Sequence, residues 1–352
     1  MPSILPPPRI DLYSDTKSKP SPGMRKAIAN ADVGDEQRDE DPTVRKLQEM
    51  TCELLGKEAS LFLPSGTMGN AIAYRVWVEP GQEVILDKTC HVLHSEAGGP
   101  AALSGVMTRI LDGTEGIFTG KQVEAAIRPL GRYNVPQSVM VSIEQTANAG
   151  GGAIWPLRSI EDVGAVANAH NLTLHMDGAR LLNAVVATNI SAEAYAAQCD
   201  SLWIDLSKGL GCPVGAVLAG SADFIHRARR FKHQFGGAMR QAGIIAAAGV
   251  YALENNVERM AEDHANARKL AEGIANTKGL SLEFGLPQTN MVYFNVAKDR
   301  MTAQELHEKL WADHGIRIGV SGAQRFRAVT HIDISAADVD EALRGLSAVM
   351  MN

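Results

Sequence analysis

From residue 58 to residue 220 short apolar runs alternate with helix-spaced segments, and this alternation limits the fold more than any other feature of the chain. "EASLFLP" (58–64) reads as a strand, and "SGTMGNAIAYRVWV" (65–78) as a helix opened by serine and glycine. "GQEVILD" (81–87), "QSVMVSIE" (137–144), "NLTLHMD" (171–177), "CDSLWIDLS" (199–207) and "PVGAVLAG" (213–220) read as further strands, with the helical "SIEDVGAVANAH" (159–170) between two of them. Strands joined by crossover helices pair in parallel and form an α/β fold. In such sheets ligands sit beyond the carboxyl ends of the strands. The polar residues there are Ser65, Glu144, Asp177 and Lys208.

The pattern changes near residue 241. Two helical stretches (240–254 and 256–277) lead to "NMVYFNV" (290–296), a helix over 302–315, strands in "IRIGVS" (316–321) and "RFRAVTHIDIS" (325–335), and a last helix over 336–349. That is an α+β layout. With 352 residues, and roughly 150 per domain as a guide, the reading is an N-terminal arm (1–20), a large α/β domain (21–240) and a smaller α+β domain (241–352).

Composition narrows the partners. The formal charge is −6, basic residues are dispersed apart from "RARRFKH" (227–233), and aromatics make up 5%. A nucleic-acid or anionic-membrane surface is therefore not expected. The start of the chain lacks a basic segment followed by an apolar one, so no signal peptide is expected. The longest apolar stretch, "AGIIAAAGVYAL" (242–253), is too short to cross a bilayer. Four cysteines without metal or disulfide spacing suggest a reduced, cytoplasmic protein.

Four features then point to one chemistry. "PSGTMGN" (64–70) puts Ser65, Gly66 and Thr67 at a helix start, where backbone N–H groups, a hydroxyl and the helix dipole suit a phosphate. "HMDGAR" (175–180) ends a buried strand on Asp177, with Arg180 three residues on. A buried carboxylate needs a cationic or N–H partner, and Arg180 is one candidate. Lys208 follows Asp177 by 31 residues, room for one helix and one strand, so both can face one cleft. A lysine amine there can form a Schiff base with a carbonyl cofactor. "TCHVLHSEAGG" (89–99) carries His91 and His94; no third ligand is near, so a stacking ring is expected rather than a metal site. Phosphate cradle, carboxylate, amine and flat ring together describe pyridoxal 5′-phosphate chemistry. Its amino-acid substrates carry an α-carboxylate that an arginine would bind; Arg180 and Arg327 are the candidates.

At these motifs the chain resembles the L-threonine aldolase family of fold-type I pyridoxal-phosphate enzymes, within the β-eliminating lyase group. The resemblance is carried by "DLYSDTKSKPSPGMRKAI", "LFLPSGTMGN", "HVLHSEAGGPAALSGV", "LHMDGARLLNA", "LSKGLGCPVG", "FGGAMRQAGIIAAAG" and "VTHID", and it covers most of the chain. It implies a large domain with a mostly parallel mixed sheet, a smaller C-terminal α+β domain, and cleavage of β-hydroxy-α-amino acids to glycine and an aldehyde. It also implies roles. Ser14 contacts the substrate carboxylate, Gly66 and Thr67 hold the phosphate, and His91 stacks on the ring and takes part in acid–base work. Asp177 pairs with the ring nitrogen, Arg180 and Arg327 bind substrate or cofactor oxygens, and Lys208 is the Schiff-base lysine. Arg240, in "AMRQ", reaches a neighbouring subunit's phosphate, which implies a homotetramer of paired dimers with sites at subunit interfaces.

Two departures from the family pattern matter, beside a milder one at Lys232-His233. Arg38-Asp39 stands where the family usually has Tyr-Gly, and Ala147, in "EQTAN" (144–148), replaces a histidine near the substrate hydroxyl. Arg38 suggests a cation near the side-chain end of an acidic substrate such as 3-hydroxyaspartate; it can equally pair with Asp39, Glu40 or Asp41 in its own segment. Losing the histidine at 147 keeps other pyridoxal-phosphate reactions open, among them dehydration or β-elimination and racemisation. A binding protein that retains the fold without turnover is a third reading, opposed by the presence of Lys208, Asp177 and His91.

Overall fold

A computed structural model describes residues 6–351. With strands numbered from the N-terminus, the first sheet contains β2 (Ala59–Leu63), β3 (Glu83–Asp87), β4 (Met107–Leu111), β5 (Ser138–Glu144), β6 (Thr173–Gly178), β7 (Ser201–Asp205) and β8 (Ala216–Gly220). Their order across the sheet is β2-β8-β7-β6-β5-β3-β4. The block from β7 to β4 is parallel, whereas β8 runs antiparallel to both β7 and β2. The connection explains the reversal. Between Asp205 and Ala216 there is no room for a crossover helix, so β8 can only fold back beside β7. Leu206 N–H donates to the Gly215 carbonyl at 3.0 Å and closes that turn. Gly215 has φ +116°, and a side chain there would meet the Phe62 ring at 2.7 Å, so glycine is required.

Four neighbouring parallel strands end on or beside a carboxylate: Asp87 on β3, Glu144 on β5, Asp177 on β6 and Asp205 on β7. Register puts Glu144 directly opposite Asp177. The strands themselves are buried on both faces, as expected for a sheet covered by helices. Helix Gly66–Trp77 is capped by Ser65, whose hydroxyl accepts from Met68 N–H at 3.3 Å. Gly66 and Gly69 let this helix lie on Trp203; a Cβ on Gly66 would come within 2.3 Å of that indole.

The second sheet has the order β1-β11-β12-β10-β9, formed by Ile10–Leu12 (β1), Leu280–Leu282 (β9), Met291–Val296 (β10), Ile316–Val320 (β11) and Arg325–Val329 (β12). β1 lies in the segment read from sequence as an arm. It pairs in parallel with β11, and its Ile10 and Leu12 are buried in the second core. Asp11 between them pairs with Arg317 at 2.8 Å, so the alternation of the segment fits an edge strand. Residues 1–5 of the expected arm lie outside the described residues.

Helix Gly243–Asn255, expected to open the smaller domain, packs instead in the first core through Ala246, Ala248, Val250 and Ala252. Alanine and glycine leave it hydrophobic nearly all round, the pattern of a buried helix. Helix Met260–Ala275 makes the transition: Met260 belongs to the first core, and Leu270 and Ile274 to the second. Among the described residues no helix is long and apolar enough to cross a membrane.

Candidate active site

A cavity of about 290 Å³ lies at the carboxyl ends of β5, β6 and β7, between the two sheets. Ser14, Ser65, Gly66, Thr67, His91, Asp177, Arg180, Lys208 and Arg327 all line it. The sequence therefore placed nine candidate residues that the fold draws together from well-separated segments. Arg38 and Arg240 do not line it.

Lys208 stands in the turn after β7. Its ammonium donates to Asp205 and lies 5.5 Å from the centre of the Trp203 ring. Asp177 does not pair with Arg180. Its Oδ2 accepts from Asn70 Nδ2 at 2.9 Å and its Oδ1 from Ala179 N–H at 3.0 Å. Arg180 is taken by Asp15 instead, through Nε and Nη2 at 2.7 Å each, and both side chains are buried. Burial alone would raise Asp15, but the Arg180 guanidinium outweighs it and holds the carboxyl well below its usual range. Arg180 thus has less capacity for a substrate carboxylate than Arg327, whose guanidinium meets Asn148 Oδ1 at 3.0 Å and the Tyr13 carbonyl at 3.5 Å and pairs with no carboxylate among the described residues.

The site contains partners that no local pattern indicated. Glu96 Oε1 accepts from His91 Nδ1 at 2.9 Å and from Asn70 Nδ2 at 2.8 Å. Asn70 Oδ1 in turn accepts from Trp203 Nε1 at 2.7 Å. One hydrogen-bonded run therefore joins His91, Glu96, Asn70 and Asp177. The hydrogen bond to Glu96 raises the His91 pKa above its ordinary value. Glu144 accepts from the His91 and Asn148 backbone N–H groups. Burial and the facing Asp177 push its carboxyl up to about 8. Burial raises Asp177 as well.

His91 and His94 do not converge: His94 Nε2 lies 2.7 Å from the Lys88 carbonyl, and no cluster of metal-ligating side chains occurs among the described residues. Ala147 is buried, pairs with Ala153, and sits against the loop at Gly116, while Thr146 and Asn148 on either side face the cavity. His91 is the one histidine lining this cavity among the described residues. Arg240 and Arg38 meet at Asp35 on an exposed surface, at 2.8 and 3.9 Å respectively. Of the three acidic neighbours expected for Arg38, Asp39 pairs with Arg229 and Asp41 caps the helix Pro42–Leu55, and the carboxylate that Arg38 meets is Asp35.

The residues fit pyridoxal phosphate. The first-turn N–H groups of Gly66 and Thr67 open a helix whose Ser65 cap already serves Met68. Gly66 lets that first turn sit directly on the Trp203 indole at the cavity wall. Asp177, raised by burial, is a carboxylate that a ring N–H⁺ would restore to its ionised form. Fold and site define a fold-type I pyridoxal-phosphate enzyme. Residues 11–298 match the beta-eliminating lyase family. The chain is 38% identical over 346 residues to low-specificity L-threonine aldolase 1 of Arabidopsis thaliana, covering 97% of this chain and 96% of that one. It is 38% identical over 333 residues to the low-specificity L-threonine aldolase of Escherichia coli K12, covering 94% and 96%. The Leishmania major threonine aldolase structure superposes with a TM-score of 0.83 at 19% identity, over 97% of this chain and 99% of that one. The chain belongs to the beta-eliminating lyase family, in its threonine aldolase branch.

Glu96→Gln removes the charge that favours protonated His91. The His91 pKa is expected to fall, so an activity limb that needs neutral His91 moves to lower pH. The stability sign follows the same shift: in the native protein the His91 proton stabilises the fold below its ordinary pKa of about 6.5, and this is lost as pH rises through the raised value. NMR titration of the His91 ring in both proteins measures the shift. An unchanged ring pKa would count against the pairing.

Proposed function

We propose that the protein cleaves threonine-like β-hydroxy-α-amino acids to glycine and an aldehyde. The observation that carries this reading is the His91–Glu96 pair in the same cavity as Lys208 and Asp177. Bound pyridoxal phosphate supplies the electron sink for the bond broken at Cα. Gly66 and Thr67 would hold its phosphate, His91 would lie on its ring, Asp177 would keep its ring nitrogen protonated, and Lys208 would carry it. Arg327 and Ser14 would orient the substrate carboxylate. With Nδ1 directed at Glu96, His91 has Nε2 left to take the β-hydroxyl proton as the Cα–Cβ bond breaks. That assignment needs no histidine at position 147.

Arg240 and Arg38 are read as contributions to a neighbouring subunit in a homotetramer of paired dimers. Arg240 would reach the neighbour's cofactor phosphate, with Arg38 travelling beside it toward the substrate. Their exposed position around Asp35, off their own cavity, supports this reading. Four free thiols suit a reducing, cytoplasmic setting.

A product assay tests the reaction. Purified protein loaded with pyridoxal phosphate is given threonine and allo-threonine, and glycine with acetaldehyde is expected in equal amounts. Ammonia with a keto acid, or the enantiomer alone, would replace the aldolase reading by elimination or racemisation.

A further inference from the structure

The cavity does not end at His91. A second chamber of about 730 Å³ adjoins it, and the two share His91, Asn148 and Arg327 as walls. None of Lys208, Asp177, Ser65, Gly66 and Thr67 lines the second chamber. It therefore lies on the substrate side, past the group that would take the β-hydroxyl proton and the arginine that would hold the α-carboxylate. Threonine would place only a methyl group toward it. The volume is that of a pocket for a whole small ligand.

The charge on its walls is one-sided. Lys88, Arg325 and Arg327 line it, with hydroxyls from Tyr13, Ser95 and Ser321, and no carboxylate is among its described lining residues. Arg325 is held in place: Nε donates to Glu283 Oε2 at 2.6 Å and the guanidinium lies 4.5 Å from the centre of the Tyr293 ring. Lys88 pairs with Asp112 at 2.5 Å near the surface, with half its side chain exposed. Neither acidic partner lines the chamber; each restrains its cation and offsets part of its charge. Glu283 leaves the planar Arg325 fork with further donors, the geometry that grips a carboxylate or phosphate.

We infer that this chamber is a side-chain subsite for β-hydroxy-α-amino acids whose Cβ substituent ends in an anionic oxygen group, with Arg325 as the fixed anchor and Lys88 as a second cation. The inference rests on the aldolase reading and extends it to a substrate class. It does not draw on Arg38, which lines neither cavity of its own chain.

Three non-cleavable amino acids of matched length test it on the holoenzyme: 2-aminoadipate, 2-amino-5-phosphonopentanoate and the neutral norleucine. Each is measured as a competitive inhibitor of threonine cleavage and by calorimetric titration. At least one acidic compound is expected to bind about 10-fold or more tightly than norleucine, the scale of one charge-assisted hydrogen bond. The tighter of the two identifies carboxylate or phosphate as the better group. Arg325→Gln should remove most of that advantage while norleucine binding holds, and the more exposed Lys88→Gln should remove a smaller part. Equal binding of all three compounds to an enzyme that releases glycine from threonine overturns the subsite alone. Failure to release glycine from any β-hydroxy-α-amino acid overturns the aldolase reading, and the subsite with it.

Discussion

Replacing Lys208 by alanine is expected to leave a folded protein that binds pyridoxal phosphate only reversibly and releases glycine at least about 10³-fold more slowly, the scale of losing a covalent catalyst. The fold should survive because Lys208 stands in a turn at the cavity wall and not in either core. Its ion-pair partner keeps one oxygen satisfied, since Asp205 Oδ1 accepts from the Ser207 N–H and hydroxyl at 2.8 Å each, and only Oδ2, on the cavity wall, loses the ammonium. The turn is closed by backbone bonds that a side-chain truncation leaves alone, from Leu206 to Gly215, Cys212 to Leu206 and Gly211 to Lys208. Thermal denaturation reads the first half of the expectation. Borohydride treatment followed by peptide mapping reads the second, since cofactor should be fixed to the Lys208 peptide in the native protein and to none in the variant. Turnover near the native rate, or cofactor fixed to another lysine, would remove Lys208 from the role.

The legibility of Lys208 has a physical reason, and so does the illegibility of its neighbours. A buried parallel strand must be apolar along its length, so a charged residue at its carboxyl end stands out within a few letters; Asp177, Glu144 and Lys208 were all visible this way. The helix cap at Ser65 is equally local. Glu96, Asn70 and Asp15 work through partners that only the fold supplies. Asn70 meets Asp177 across 107 residues, and Asp15 meets Arg180 across 165. That second pairing is why Arg180 looked like a free anion-binding arginine in sequence and is occupied in the structure. β4 escaped for a different reason. It is an edge strand with a half-exposed, mixed sequence, and so lacks the continuous apolar run that marks its neighbours. The reversal at β8 was present in the text as a connection too short for a helix, but an apolar run carries no direction. β1 was hidden in the opposite way: three residues are too few to show a period, and their partner strand begins more than 300 residues later.

Asp177→Asn should separate catalysis from stability in opposite directions. In the native site burial raises the Asp177 pKa, although the ammonium of Lys208 and the Asn70 amide act against it. A carboxyl whose folded pKa lies above its unfolded value binds its proton more tightly in the native state. Stability therefore falls as pH rises from the unfolded pKa, about 3.9 for aspartate, through the raised one. At neutral pH the cofactor-free native protein carries this cost, and asparagine at 177 does not. Asparagine can still meet the Ala179 N–H through its amide oxygen, while its amide nitrogen faces the Asn70 donor and gives up that one bond, a smaller loss than the cost of a buried charge. The cofactor-free variant should consequently melt higher than the cofactor-free native protein at pH 7, and this advantage should shrink toward pH 4. Activity should move the other way. Without a carboxylate to hold the ring nitrogen protonated, the electron sink weakens, and kcat should fall by about 10²–10⁴-fold, the range of removing one acid–base or electrostatic group. Pyridoxal phosphate should also stabilise the native protein more than the variant, because ring protonation relieves the buried charge only where the carboxylate exists. Paired melting curves with and without cofactor, alongside kcat, decide the point. A variant that loses stability and activity together would make Asp177 a structural carboxylate, tied only to Asn70 and the turn at Ala179.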